Sequence, residues 1–135
     1  MQVERCNSQL PASNYQQNKI LRYRKFKVYQ YSKEFHKLVV KLTAKFPQDF
    51  DYLVKQVRRS SLSIILNIAE GSAKNSDKDF NRYLLNSLGS VNETLAGFEV
   101  AKDFNLVSVQ EFNEIEKQAI NITNQLGGFS KKLKS

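Results

Sequence analysis

Very few side chains in this sequence have the types and spacing that catalysis needs. His36 is the only histidine and Cys6 the only cysteine, so the sequence indicates neither a Cys–His nucleophile pair nor a zinc site. Asp77 and Asp79 lie two positions apart on a predicted helix, where such side chains face away from each other. The sequence also has no glycine-rich phosphate-binding loop. We therefore expect no catalytic residue, no metal, no cofactor and no enzymatic activity.

Positive charge is the chemistry that the sequence offers instead. The net charge is +8, and residues 1–46 account for all of it, with ten Lys and Arg against two acids. A concentrated basic surface suits an anionic partner such as nucleic acid, although it also serves solubility alone. The candidate nucleic-acid-binding residues are Lys19, Arg22, Arg24, Lys25, Lys27, Lys33, Lys37, Lys41 and Lys45.

The setting of these cations leaves two alternatives open. Tyr23 and Phe26 lie among the first of them, and interleaved aromatic rings and cations can hold a single strand by stacking and phosphate contact. The same two rings could instead attach the N-terminal segment to the folded domain. The last four lysines recur at every fourth position, which predicts either a stripe that follows phosphates or an ordinary solvated helix face.

The composition predicts one folded domain preceded by an arm. A chain of 135 residues with 41% hydrophobic residues can bury a core without disulfides. Residues 1–25 are rich in Gln, Asn and Ser, and we expect them to form a flexible basic and polar arm before a domain over 26–135. No apolar run is long enough for a membrane span, and because residues 1–7 lack the apolar core of a secretory signal, we expect none. We expect a cytoplasmic protein that does not contact a membrane.

Apolar residues recur at helical spacing along the whole of this domain. The predicted helices cover residues 26–46, 50–70, 77–103 and a fourth stretch after Ser108 that continues to Leu133. The expected N-terminal caps are Asp49 for the second helix, Ser76 or Asp77 for the third, and Ser108 with Glu111 for the fourth. Gly71 is expected just past the end of the second helix. Four helices joined by short turns predict an all-α fold, an antiparallel up-down-up-down four-helix bundle.

Two features of the predicted helices indicate close contacts. Gly89 and Gly97 interrupt the third helix, at a cost of about 1 kcal/mol each relative to alanine, so we expect another helix to approach there, within or between subunits. The pair at 127–128 interrupts the fourth helix in the same way. The second helix is apolar over more than half its circumference, because Leu62 and Leu66 widen its core-facing ridge. Copies of the chain are therefore expected to associate through this helix.

A group of polar residues on the second and third helices is expected to pair across helices. Buried carboxylates need partners, and arginines one helix away can supply them. We interpret the group as a structural network that sets helix register or subunit contacts, rather than as a ligand site. Its members are Arg58, Arg59, Asn67, Glu70, Arg82 and Glu93.

The same region carries a family resemblance. Its residues are Gln56, Arg58, Arg59, Ser63, Ile64, the run Asn-Ile-Ala-Glu-Gly at 67–71, Phe80, Leu84, Gly89, Ser90 and Glu93. The pattern resembles the four helix bundle protein family, whose members include proteins of intervening sequences in bacterial large-subunit ribosomal RNA genes. The resemblance covers about residues 26–133. Ser60 and Ile65 depart from it, since the family commonly has Ala and often Pro at these positions.

The resemblance implies more about assembly than about activity. It implies an antiparallel bundle that assembles as a cyclic pentamer. The related accessory protein of diversity-generating retroelements forms a basic pentameric barrel that binds a reverse transcriptase and nucleic acid. Two hypotheses follow: a homo-oligomer that binds RNA or DNA, or a scaffold or adaptor whose partner is a protein such as a reverse transcriptase.

Overall fold

A computed structural model describes residues 21–134 as an array of helices, with no β-strand in that range. A 3₁₀ helix at Arg22–Lys25 precedes α1, and a second at Gln48–Phe50 precedes α2. The four long helices are α1 (Lys27–Thr43), α2 (Asp51–Ser72), α3 (Asp77–Asp103) and α4 (Val109–Lys134). The all-α prediction with four helices is confirmed. Lys19 and the first twenty residues of the predicted arm lie outside the described residues.

The four helices surround one apolar core. α1 packs against α2 and α4, and α3 packs against the same two helices. Each helix contributes fully buried apolar side chains at three- and four-residue spacing, as the sequence pattern predicts. The largest of them are Phe35 on α1, Ile64 and Ile68 on α2, Phe80 and Phe98 on α3, and Ile115 and Ile122 on α4.

Two of the three predicted N-terminal caps are present. The Ser76 hydroxyl accepts a hydrogen bond from the Asp79 backbone N–H at 3.1 Å. The Ser108 hydroxyl accepts one from the Glu111 N–H at 3.0 Å, and the Glu111 carboxylate accepts one from the Ser108 N–H at 2.9 Å. These bonds satisfy donors that the first turn of a helix leaves without intrahelical partners.

The predictions for the two ends of α2 are wrong. Asp49 lies within the second 3₁₀ helix, and the residue before α2 is Phe50, whose side chain makes no capping hydrogen bond. Gly71 is buried inside the last turn of α2 and has an ordinary negative φ. A Cβ atom at this position would lie 2.5 Å from the Cβ atom of Tyr83. Glycine is therefore needed there because α3 comes close, not because the chain reverses.

Close approach also explains Gly97, but not Gly89. A Cβ atom on Gly97 would lie 2.3 Å from the Cγ1 atom of Val57, a buried and branched side chain on α2. At Gly89 nothing beyond the two neighbouring residues and the backbone of the same helical turns lies within 4 Å of the position of a Cβ atom, and the same holds for Gly127 and Gly128 within the described chain. The helix contact expected at the two α3 glycines is thus present within the chain at Gly97 only.

Candidate nucleic-acid interface

The four lysines of the α1 row differ in their surroundings. The Lys33 ammonium lies 5.0 Å from the ring centre of Tyr29. Lys37 makes an exposed ion pair with Glu34 at 3.1 Å. Lys45 pairs with Glu111 on α4, and Lys41 is exposed on the same face. An exposed ion pair contributes little to stability and exchanges easily, so Lys37 and Lys41 stay accessible to an anionic ligand.

The contact between Lys45 and Glu111 joins the end of α1 to the start of α4. The hydrogen bond from Lys45 is the largest cause that lowers the pKa of Glu111, and the backbone N–H of Ser108 is the next. Both favour the charged carboxylate. Lys45 therefore holds two helices together and offers less of its charge to a ligand than Lys41 does.

Arg22 is a structural residue in this fold. Its Nε atom donates to the backbone oxygen of Ser72 at 3.0 Å, and its guanidinium carbon lies 5.1 Å from the ring centre of Phe80. Ser72 is the last residue of α2, so its carbonyl has no partner within the helix. Arg22 thus closes the end of α2, while Arg24, Lys25 and Lys27 are exposed beside it.

The two aromatic residues among these cations face the folded chain. The Phe26 ring lies 4.9 Å from that of Phe129 and 6.2 Å from that of Phe80, measured between centroids. The Tyr23 ring meets the Tyr29 ring edge-on at 4.9 Å. Such contacts contribute beyond apolar burial alone. They attach the segment before α1 to the bundle. Because these rings are engaged within the chain, the cations around them are expected to contact phosphates without base stacking by Tyr23 or Phe26.

The predicted polar network is not a single network within residues 21–134. Arg58 donates to the hydroxyl of Thr43 at 2.9 Å and to the backbone oxygen of Val40 at 3.2 Å. It therefore closes the C-terminal end of α1 as Arg22 closes that of α2. The other five residues do not contact one another. Asn67 hydrogen-bonds Ser63 and Arg82 contacts Asp79, each within its own helix. Glu70 accepts a hydrogen bond from Tyr83, Glu93 accepts one from Gln56, and Arg59 is exposed. Two of the predicted members, Glu70 and Glu93, do pair across α2 and α3, but with Tyr83 and Gln56 rather than with arginines.

Hydroxyl groups supply the buried polar contacts between α2 and α3. Ser60 and Thr94 are buried and their oxygens lie 2.6 Å apart, and Ser90 donates to Ser63 at 3.0 Å. The buried Ser87 hydroxyl donates to a backbone oxygen of α2 at 2.9 Å. Small hydroxyl side chains let the helices approach while their polar atoms stay satisfied. The signal for this contact in the sequence is the helical spacing of serine and threonine on both helices.

His36 lies at the α1–α2 interface rather than at a reactive site. Its Nδ1 atom hydrogen-bonds the hydroxyl of Ser61 at 2.6 Å. Burial is the larger cause that lowers the pKa of His36, and the positive charge of Arg58 is the second. Both disfavour the imidazolium form. The histidine is therefore a neutral hydrogen-bonding group in the folded chain.

The stability of the fold should fall when His36 is forced to take up a proton. The folded-state pKa of His36 lies below its ordinary value of 6.5, so the unfolded chain binds the proton first as the pH falls. The stability that neutral His36 supplies is present above about pH 6.5 and is lost towards the lowered pKa. We expect the urea concentration at the unfolding midpoint to be lower at about pH 5.5 than at about pH 7.5. His36→Gln should show a smaller decrease, and an equal decrease would contradict this assignment.

Two other kinds of feature, a metal-ligand cluster and a membrane-spanning helix, are absent from the described part of the chain. No group of three or more His, Cys, Asp or Glu side chains there is arranged to hold a metal ion. None of the described helices combines the length and the apolar character needed to cross a bilayer. The exposed cations before and along α1 are thus the candidate site that the geometry offers.

A comparison with known protein families identifies the family of this chain. Residues 24–128 match the family of the 23S rRNA-intervening sequence protein. The chain belongs to this family. The match confirms the family resemblance carried by residues 56–93, and it takes in α1, α2, α3 and most of α4. No curated protein matches the chain.

The extent of the family match also divides the basic residues. Lys19 and Arg22 precede the matched range, whereas Arg24, Lys25, Lys27 and the α1 row fall inside it. Arg22 is also the residue that the structure uses to close α2. The exposed candidate cations from Arg24 to the end of α1 therefore lie within the part of the chain that the family match covers.

Proposed function

We propose that this member of the 23S rRNA-intervening sequence protein family is a non-enzymatic homo-oligomer that binds RNA or DNA through a basic surface. The observation that carries the proposal is the charge of residues 21–45, where eight Lys and Arg accompany one acid, Glu34. Arg24, Lys25, Lys27 and Lys41 are exposed. The family takes its description from an insertion in a ribosomal RNA, which favours RNA as the first ligand to test.

The proposal includes an antiparallel up-down-up-down bundle that assembles as a cyclic pentamer in the cytoplasm. The contact pairs Ser60–Thr94 and Ser63–Ser90 support opposite directions for α2 and α3, because the numbers rise along one helix as they fall along the other. Leu62 and Leu66 on α2 are 41% and 55% exposed, which supports contact with another copy. The subunit number rests on the family resemblance alone.

Binding should depend strongly on salt if phosphates are the ligand. We expect a labelled RNA hairpin to bind at about 50 mM salt and to lose about 100-fold in affinity at about 200 mM, as roughly four released counterions require. Fluorescence anisotropy measures both values. A neutral polymer of similar size serves as the control for non-specific anisotropy changes. If the hairpin does not bind at the lower salt concentration, the nucleic-acid proposal is wrong.

A scaffold or adaptor is the second candidate function. The observation that favours it is an aromatic cluster at the turns between helices, where the half-buried Phe50 ring lies 5.0 Å from the exposed Phe104 ring and 6.2 Å from the exposed Tyr52 ring. Exposed aromatic residues are typical of protein-binding surfaces. A pull-down from the native host separates the two candidates, because a protein partner such as a reverse transcriptase stays bound after nuclease treatment and a partner held only through RNA does not.

A further inference from the structure

The fold brings two distant basic segments to one corner of the bundle. Phe26 lies between Lys25 and Lys27 in the sequence, and its ring packs edge-on against the Phe129 ring at 4.9 Å. Phe129 is two residues before the lysines that end α4. We call this surface the basic corner. Its members, all exposed, are Arg24, Lys25, Lys27, Lys131, Lys132 and Lys134.

The basic corner is free of acids from its own segments. No Asp or Glu occurs between residues 21 and 33, nor between residues 117 and 134. The acids at this end of the bundle belong to α2 and α3: Glu70 contacts Lys74, Asp79 contacts Arg82, and Asp77 is exposed at the start of α3. A concentration of positive charge attracts a polyanion over the range of the Debye length.

A groove beside the corner has room for a ligand. Its volume is about 380 Å³, and it is lined by Asn124, Gln125, Gly128, Phe129 and Lys132. Gly127 and Gly128 destabilise the helix that they interrupt, yet no described atom beyond their chain neighbours and the nearby α4 backbone lies within 4 Å of the position where a Cβ atom would stand on either residue. The described chain therefore does not need these glycines for its own packing. A ligand that approaches the α4 backbone closely would need them.

We propose that the basic corner and this groove form the principal contact with the nucleic-acid backbone. Phosphates lie against the lysines at the end of α4 and against the cations before α1, and Asn124 and Gln125 donate further hydrogen bonds from the groove. The inference rests on the proposed nucleic-acid function and locates it. Because the nearby aromatic rings pack inward, the contact is to phosphates and sugars and does not depend on sequence.

The terminal lysines of α4 have a simpler structural explanation, which the experiment must separate from binding. Cations at the C-terminus of a helix interact favourably with its dipole. That effect alone would change the melting temperature of a variant and leave the salt dependence of RNA binding as it is. The number of counterions released is thus the readout that distinguishes a ligand contact from a structural charge.

The first test compares charge removal at opposite ends of the bundle in the full chain. In Lys131→Ala/Lys134→Ala, affinity for the RNA hairpin should fall at least about 10-fold, and the slope of log affinity against log salt should decrease by about 1.4 to 1.8. Lys55→Ala/Lys102→Ala removes the same charge from exposed lysines elsewhere and should change affinity less than about 3-fold. Lys37→Ala/Lys41→Ala reports on the side of α1 and should lower affinity less than the corner variant.

The second test fills the groove without removing charge. Gly128→Leu should weaken hairpin binding at least about 10-fold while the melting temperature stays equal or rises by about 2–4 °C, since leucine favours the helix. The corner assignment is wrong if Gly128→Leu binds the hairpin as tightly as the wild type does and Lys37→Ala/Lys41→Ala loses more affinity than Lys131→Ala/Lys134→Ala. The proposed function would still stand in that case. Failure of the wild-type chain to bind at low salt would reject both.

Discussion

Replacing Gly97 with alanine should destabilise the fold by about 1–2 kcal/mol, whereas the same change at Gly89 should stabilise it by about 1 kcal/mol. Alanine at either position gains helix propensity. At Gly97 the added carbon would lie 2.3 Å from Val57 Cγ1, and a buried branched side chain cannot move aside without strain. At Gly89 the described chain leaves the space open. Urea unfolding of the two variants measures the change in the free energy of unfolding, which should have opposite signs at the two positions.

The reason for the Gly97 effect can be tested by a double-mutant cycle. Val57→Ala alone should destabilise the fold because it leaves a cavity. Combined with Gly97→Ala, it should cost little more than it does alone, since the new methyl group occupies the space that valine left. Additive losses would show that the contact with Val57 is not the cause. Destabilisation by Gly89→Ala would show that another copy of the chain fills the open space at that glycine.

Leu62→Lys/Leu66→Lys should dissociate the proposed oligomer and leave the bundle folded. Both side chains are exposed on α2, while Ile65 between them is buried at 7% exposure. Removing two partly exposed leucines from a subunit contact and placing charges there should cost about 2–3 kcal/mol per contact, or roughly 30- to 150-fold in affinity. Sedimentation velocity at micromolar concentration measures the assembly, and circular dichroism measures the fold.

A matched change on another helix controls for the added charge. Ile120 on α4 is 53% exposed, so Ile120→Lys should leave both the fold and the assembly unchanged. Equal dissociation by Ile120→Lys would place the subunit contact elsewhere on the bundle. A wild-type chain that sediments as a folded monomer at micromolar concentration would refute the assembly, and the pentamer with it.

The helices and two of their caps could be predicted because they depend on residues close in sequence. α3 spans the predicted range of 77–103, since its apolar spacing and the Ser76 cap are both local signals. The pair Ser108 and Glu111 was found for the same reason. The prediction failed at the ends of α2, where Gly71 is set by the approach of Tyr83 from another helix. No local pattern contains that distance.

The candidate site was predictable in its chemistry and only partly in its geometry. Counting charges identified the cations before and along α1, but it could not separate Arg22, which closes α2, from Arg24, which is exposed. Arg58 was likewise assigned to a network and instead closes α1. Whether an arginine meets a carbonyl or the solvent depends on where a second helix ends.

The sequence by itself determined the all-α class, the family and the excess of positive charge, because periodicity, motif and composition are properties of the chain. Only the tertiary structure decided which of those charges stand together. The packing of Phe26 against Phe129 brings the segment before α1 close to the end of α4, more than a hundred positions away in the sequence. The close approach of Val57 to Gly97 shows which glycine the core needs. Both follow from contacts between helices, which the order of residues along one helix does not specify.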